Sequence, residues 1–64
     1  MKTYTVTPAM NDDLLDMLDY VGIEHGTKVE IHDSSHFSLP DDADAFLEDV
    51  TKGLADYGHT VTQS

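Results

Sequence analysis

Residues 27–39 read TKVEIHDSSHFSL. Two short runs in it alternate apolar and polar residues: residues 27–32, with Val29 and Ile31, and residues 36–39, with Phe37 and Leu39. A period of two marks a half-buried strand. Between the runs, Asp33-Ser34-Ser35 is made of turn-forming residues. A three-residue hairpin loop would set His32 opposite His36, Ile31 opposite Phe37 and Val29 opposite Leu39. The apolar partners then share one face, an arrangement that a one-residue slip destroys. The sequence therefore predicts an antiparallel hairpin, apolar on one side, with the two histidines together on the other.

Upstream, residues 2–7 (KTYTVT) alternate as well, with Tyr4 and Val6 on one face and Thr3, Thr5 and Thr7 on the other. Next comes a helical pattern. Met10, Leu14, Met17, Leu18 and Val21 fall within one stripe about 100° wide. Asp12, Asp16 and Asp19 fall on the opposite side. Thr7, followed by Pro8 as first helical residue, and Asn11 are both candidate N-caps. With either, Asp12 and Asp13 sit near the positive end of the helix dipole. Gly22 is expected to end the helix, with Ile23 folding back onto the core.

Downstream, Pro40 stops the strand. Asp41 is the expected N-cap of a second helix, with Asp44 at the capping-box position. Its apolar stripe is Ala43, Phe46, Leu47, Val50, Leu54 and Tyr57. Gly53 weakens it by up to ~1 kcal/mol relative to alanine. Gly58 ends it, and residues 59–62 (HTVT) form a last strand.

The expected order is β-α-β-β-α-β over a single α+β domain, residues 1–64. That is the split βαβ, ferredoxin-like arrangement, with two helices on one face of an antiparallel sheet. The pattern resembles the small heavy-metal-associated domains in length, in element order and in a last helix running into Gly-x-x-Val, here Gly58-His59-Thr60-Val61. Those domains bind metal through a Cys-x-x-Cys pair just after strand one, where this chain has Pro8-Ala9-Met10-Asn11. The resemblance implies the fold and argues against the metal function.

Composition narrows the chemistry. Without cysteine there are no disulfides, thiolate metal sites or thiol nucleophiles. Thirteen acids against three lysines give a net charge of −10. That argues against direct nucleic-acid binding and against attraction to anionic lipid. No apolar run approaches the ~20 residues of a membrane span, and no signal peptide opens the chain. The expectation is a cytoplasmic protein. Ser34, Ser35 and Ser38 lack a Gly-x-Ser-x-Gly context, and acids on solvated helix faces lack the desolvated carboxyl that acid–base work needs. No enzyme and no cofactor is expected. His32 and His36 with Asp33 could hold zinc or nickel only with further ligands, so no metal site is assigned.

A charge of ten exceeds the magnitude of about 2–8 usual for small domains. Three readings compete: solubility, a salty cytoplasm, and a decoy that occupies a basic groove. Ten Asp against three Glu, with seven Thr and no Arg, fit the halophile reading of a small binding or regulatory domain. Size and charge also resemble the small acidic, cysteine-free phage inhibitors of bacterial defence, anti-CRISPR proteins among them. That resemblance implies a non-enzymatic inhibitor. Its expected partner is a basic nucleic-acid-binding protein such as a CRISPR effector. The residues expected to meet it are Asp12, Asp16 and Asp19 on the first helix, with Tyr20 as an interfacial anchor beside Asp13 and Asp16. On the second they are Asp41, Asp42, Asp44, Glu48, Asp49 and Asp56. These six acids span about 22 Å of helix, one per ~4 Å, against one charge per ~3.4 Å along a DNA strand.

Overall fold

The computed structural model describes residues 1–64. Its elements are β1 (Lys2–Thr7), α1 (Asp12–His25), β2 (Glu30–Asp33), β3 (His36–Leu39), α2 (Asp44–Asp56) and β4 (Thr60–Gln63). The strands form one antiparallel sheet in the order β2-β3-β1-β4. This is the ferredoxin-like layout. Tyr4 and Val6 of β1 and Phe37 and Leu39 of β3 are buried in one cluster with Leu14 and Leu18 of α1 and Phe46, Val50 and Leu54 of α2. Both helices therefore cover the same face. Thr3, Thr5, His36 and Ser38 alternate onto the other.

The hairpin keeps its apolar match by a different route from the expected one. The loop is two residues, Ser34-Ser35, and Asp33 pairs with His36. The Ser35 N–H donates to Asp33 Oδ1 at 2.7 Å, a local turn that draws Asp33 into the ladder. A bulge between Ile31 and Asp33 takes up the surplus residue, so Ile31 still faces Phe37. His32 is the bulged residue and does not pair with His36. β2 also starts at Glu30 rather than Thr27, and Val29 packs beside the core without pairing with Leu39.

α1 begins at Asn11, whose side chain accepts the Leu14 N–H at 2.9 Å. It does not stop at Gly22. The helix continues to His25 and closes at Gly26, which holds the left-handed φ of 67°. Gly22 serves packing instead: a Cβ there would lie 2.7 Å from Val29 Cγ2. The longer helix carries Ile23 outward, 71% exposed, so it does not fold back onto the core.

α2 starts after a turn in which the Ala43 N–H donates to the Pro40 carbonyl at 3.3 Å. Asp41 and Asp42 are spent in that turn. Buried Ala43 takes the N-cap position with no side-chain cap, so Asp41 is not the cap. The helix ends at Asp56, and Gly58 turns the chain at φ 82°. Tyr57 consequently leaves the apolar stripe and is 68% exposed. No helix is long and apolar enough to cross a membrane.

The two helix-interior glycines predict opposite responses to alanine. Gly22→Ala drives a methyl into Val29 and should lower stability by about 1–3 kcal/mol. A Cβ at Gly53 meets nothing within 4 Å, so Gly53→Ala should raise it by up to ~1 kcal/mol. Chemical denaturation checks both signs. Equal effects would contradict the packing described for Gly22.

Candidate functional site

The helical layer holds the charge. α1 carries Asp12, Asp13, Asp16, Asp19 and Glu24; α2 carries Asp44, Glu48, Asp49 and Asp56, preceded by Asp41 and Asp42. All are exposed. Lys52 is the only lysine among them. Elsewhere Glu30 and Asp33 offset Lys2 and Lys28, so the whole net charge sits in this layer. The open sheet face is made of Thr3, Thr5, Thr7, Glu30, Asp33, His36, Ser38, Thr60 and Thr62, with His32 bonded to Ser38 there.

Helix phase divides the acids into rows rather than one line. Asp12, Asp16 and Asp19, at i, i+4 and i+7, share the outer side of α1. Asp13, Met17, Tyr20 and Glu24, at i, i+4, i+7 and i+11, form the next row. Met17 of this row faces α2 across the seam. On α2, Asp49, Gly53 and Asp56 share the seam side, while Asp44 and Glu48 share a flank turned away from it. Asp41 and Asp42 lie outside the helix, in the turn before it. The expected row of six acids is thus split between a turn and two helix flanks.

Two acids have a cationic neighbour: Asp41 meets the Met1 ammonium at 3.2 Å and Glu48 meets Lys52 at 3.2 Å. Two more lie beside an imidazole, Asp49 at 3.3 Å from His25 and Asp33 at 2.9 Å from His36. Exposed pairs of this kind are screened by solvent and contribute little. The remaining acids face solvent without a cation, which leaves the negative field largely uncompensated.

Tyr20 is 62% exposed, as an interfacial anchor requires. Its phenol interacts with Glu24, one turn on. Hydrogen bonding to the Glu24 carboxylate, and then that carboxylate's charge, hold the phenol above its ordinary pKa.

Between the helices lies a groove of ≈ 170 Å³. Leu18, Val50 and Leu54 form its floor, and Met17, Val21 and Gly53 its sides, with Asp49 on the rim. Its α2 side is open because Gly53 has no side chain and nothing lies within 4 Å of where one would start. At one end His25 bridges to Asp49 and meets the Phe46 ring edge-on, centroids 5.5 Å apart. Past Met17 the surface continues into a depression lined by Asn11, Asp13, Leu14, Tyr57 and His59. There His59 Nδ1–H donates to the Pro8 carbonyl at 2.8 Å. Sequence reasoning counted Gly53 only as a helix weakness and Tyr57 as core. The spacing Asp49, Gly53, Asp56 was the available signal for a gap on an acidic face.

The histidines of the hairpin do not converge. His32 Nε2 shares a hydrogen bond with Ser38 Oγ at 2.7 Å, and Ser38, 3% exposed, also meets Thr3 Oγ1 at 2.9 Å. His36 Nδ1–H donates to the Asp33 carboxylate at 2.9 and 3.1 Å. No three His, Asp or Glu side chains gather as metal ligands.

Comparison with protein-family models, with curated proteins and with solved structures finds no match to this chain.

Asp33 supplies a pH test. The Ser35 N–H first, and then the His36 hydrogen bond, hold its carboxyl below the ordinary carboxylate value. A depressed folded pKa adds stability above the unfolded value of ~3.9 and loses it as pH falls from there through the folded pKa. Carbon-detected NMR titration should place the Asp33 midpoint below the ordinary aspartate value. The stability gap between the native chain and Asp33→Asn should narrow over the same acid range. An ordinary midpoint for Asp33 would contradict the turn geometry.

Proposed function

We propose that this chain is a non-enzymatic binding protein whose acidic helical layer occupies the basic, nucleic-acid-binding surface of a partner protein. In its specific form it is an anti-defence inhibitor of the anti-CRISPR kind, acting in the cytoplasm as a nucleic-acid mimic. The observation that carries the reading is the placement of the charge. All of the net −10 lies on and just before two helices of one layer, among a single lysine, while the sheet's other face is mostly hydroxyl and imidazole side chains with two acids, Glu30 and Asp33. A coat selected only for solubility or for a salty cytoplasm has no reason to gather eleven of thirteen acids into one layer. A surface that must meet a basic groove has to concentrate its charge there. Complementary fields of this kind raise association rates by ~10- to 1,000-fold and lose most of that gain in salt.

The test immobilises the protein and passes a bacterial lysate over it. Retained proteins should be nucleic-acid-binding proteins that added duplex DNA displaces. The reversals Asp44→Lys, Glu48→Lys and Asp49→Lys leave the buried stripe intact and should abolish retention. Thr5→Lys with Thr60→Lys, on the open sheet, should keep it. Loss with the sheet variant and retention with the helix variant would overturn the proposal.

A further inference from the structure

Charge alone does not account for the groove between α1 and α2. A glycine inside a helix costs up to ~1 kcal/mol, and no neighbour requires Gly53 to lack a side chain. The result is an apolar slot open in the middle of the most negative surface of the molecule. We infer that this seam is a docking slot for one apolar side chain, of leucine or phenylalanine size, carried on a lysine- or arginine-rich segment of a partner protein. The inference rests on the proposed function and names the chemistry of its partner.

Size, lining and rim agree. The groove's ≈ 170 Å³ is close to the roughly 150 Å³ of an apolar cavity that takes up benzene. Its floor and most of its sides are hydrocarbon, which rewards an apolar group and no polar one. Asp49 stands on its rim. Asp56 follows by helix phase on the same side, and Asp13 lies in the adjoining depression past Met17. An incoming segment therefore has carboxylates on both sides of its apolar residue. A second copy of this chain would bring its own −10 into that field and is repelled; a basic segment is drawn in. Exposed Tyr57 beside Met17 extends the apolar contact along the seam. The arrangement is an apolar anchor ringed by charge, in which burial at the centre holds the complex and the charged rim sets its speed and partner choice.

Three pentapeptides test it by NMR titration of the native protein. One has four lysines around a central leucine, the second has serine at the centre, and the third has four glutamates around leucine. The lysine–leucine peptide should shift Met17, Val21 and Gly53 resonances. It should bind about tenfold more tightly than the serine form, a factor within what burial of most of a leucine supplies. The glutamate peptide should not bind. Gly53→Leu, which fills the slot without altering charge, should melt no lower than the native protein and bind both lysine peptides equally. Equal, salt-sensitive binding of the two lysine peptides to the native protein would overturn the slot and leave the acidic-layer reading standing. Binding of the glutamate–leucine peptide as tightly as the lysine–leucine one would overturn the stated partner chemistry. No binding by any of the three would overturn both.

Discussion

Phe37 stacks on Tyr4 across the two central strands, ring centroids 5.5 Å apart, and has no exposed surface. Both rings face the same side of the sheet, and so do Val6 and Leu39. Truncating a buried phenylalanine costs about 3–5 kcal/mol, a large part of the 5–15 kcal/mol that holds a typical domain folded. A chain of 64 residues buries only about 60% of its unfolded surface and cannot build a second core. One apolar face of the sheet must therefore receive both helices, and the other must stay polar. The hairpin shows how strictly this holds: a bulge at His32 is accepted so that Ile31 remains opposite Phe37.

That one-sided core also decides where charge can go. Each helix gives its apolar stripe to the sheet, and its acids are pushed to the outside of the same layer. Ser38 is buried on the polar face, but its hydroxyl is satisfied by Thr3 and His32, so the open sheet needs neither a cover nor a partner. The helical layer is different. Its acids outnumber its cations, its two helices leave a gap at Gly53, and the field and the gap coincide. The proposed function and the docking slot use the same surface for this reason.

Much of this was legible in the alternation and the helical stripes. The order of six elements, the limits of β1 and β3, the shared face of Ile31 and Phe37, and the outward acids of both helices follow from periods of 2 and 3.6. What escaped depends on contacts between elements. Gly22 reads as a helix stop, yet it is glycine because Val29 passes 2.7 Å from where its Cβ would be. Asp41 reads as a cap, yet the burial of Ala43 starts the helix later. Asp33 reads as a loop residue, yet its own side chain pulls it into the ladder. The seam was invisible because it is made by two helices jointly, and each one taken alone shows only a partly buried methionine, valine or glycine.

The central claim is that the helical layer, and not the open sheet, is the working surface. The most direct measurement is an amide shift map of the isotope-labelled protein bound to a nucleic-acid-binding partner that it retains. The account predicts perturbations along α1 and α2, strongest at Met17, Val21, Asp49 and Gly53, with Thr3, Thr5 and Thr62 unmoved. Perturbations centred on Thr3, Thr5, His36 and Thr62, with the helices silent, would contradict it.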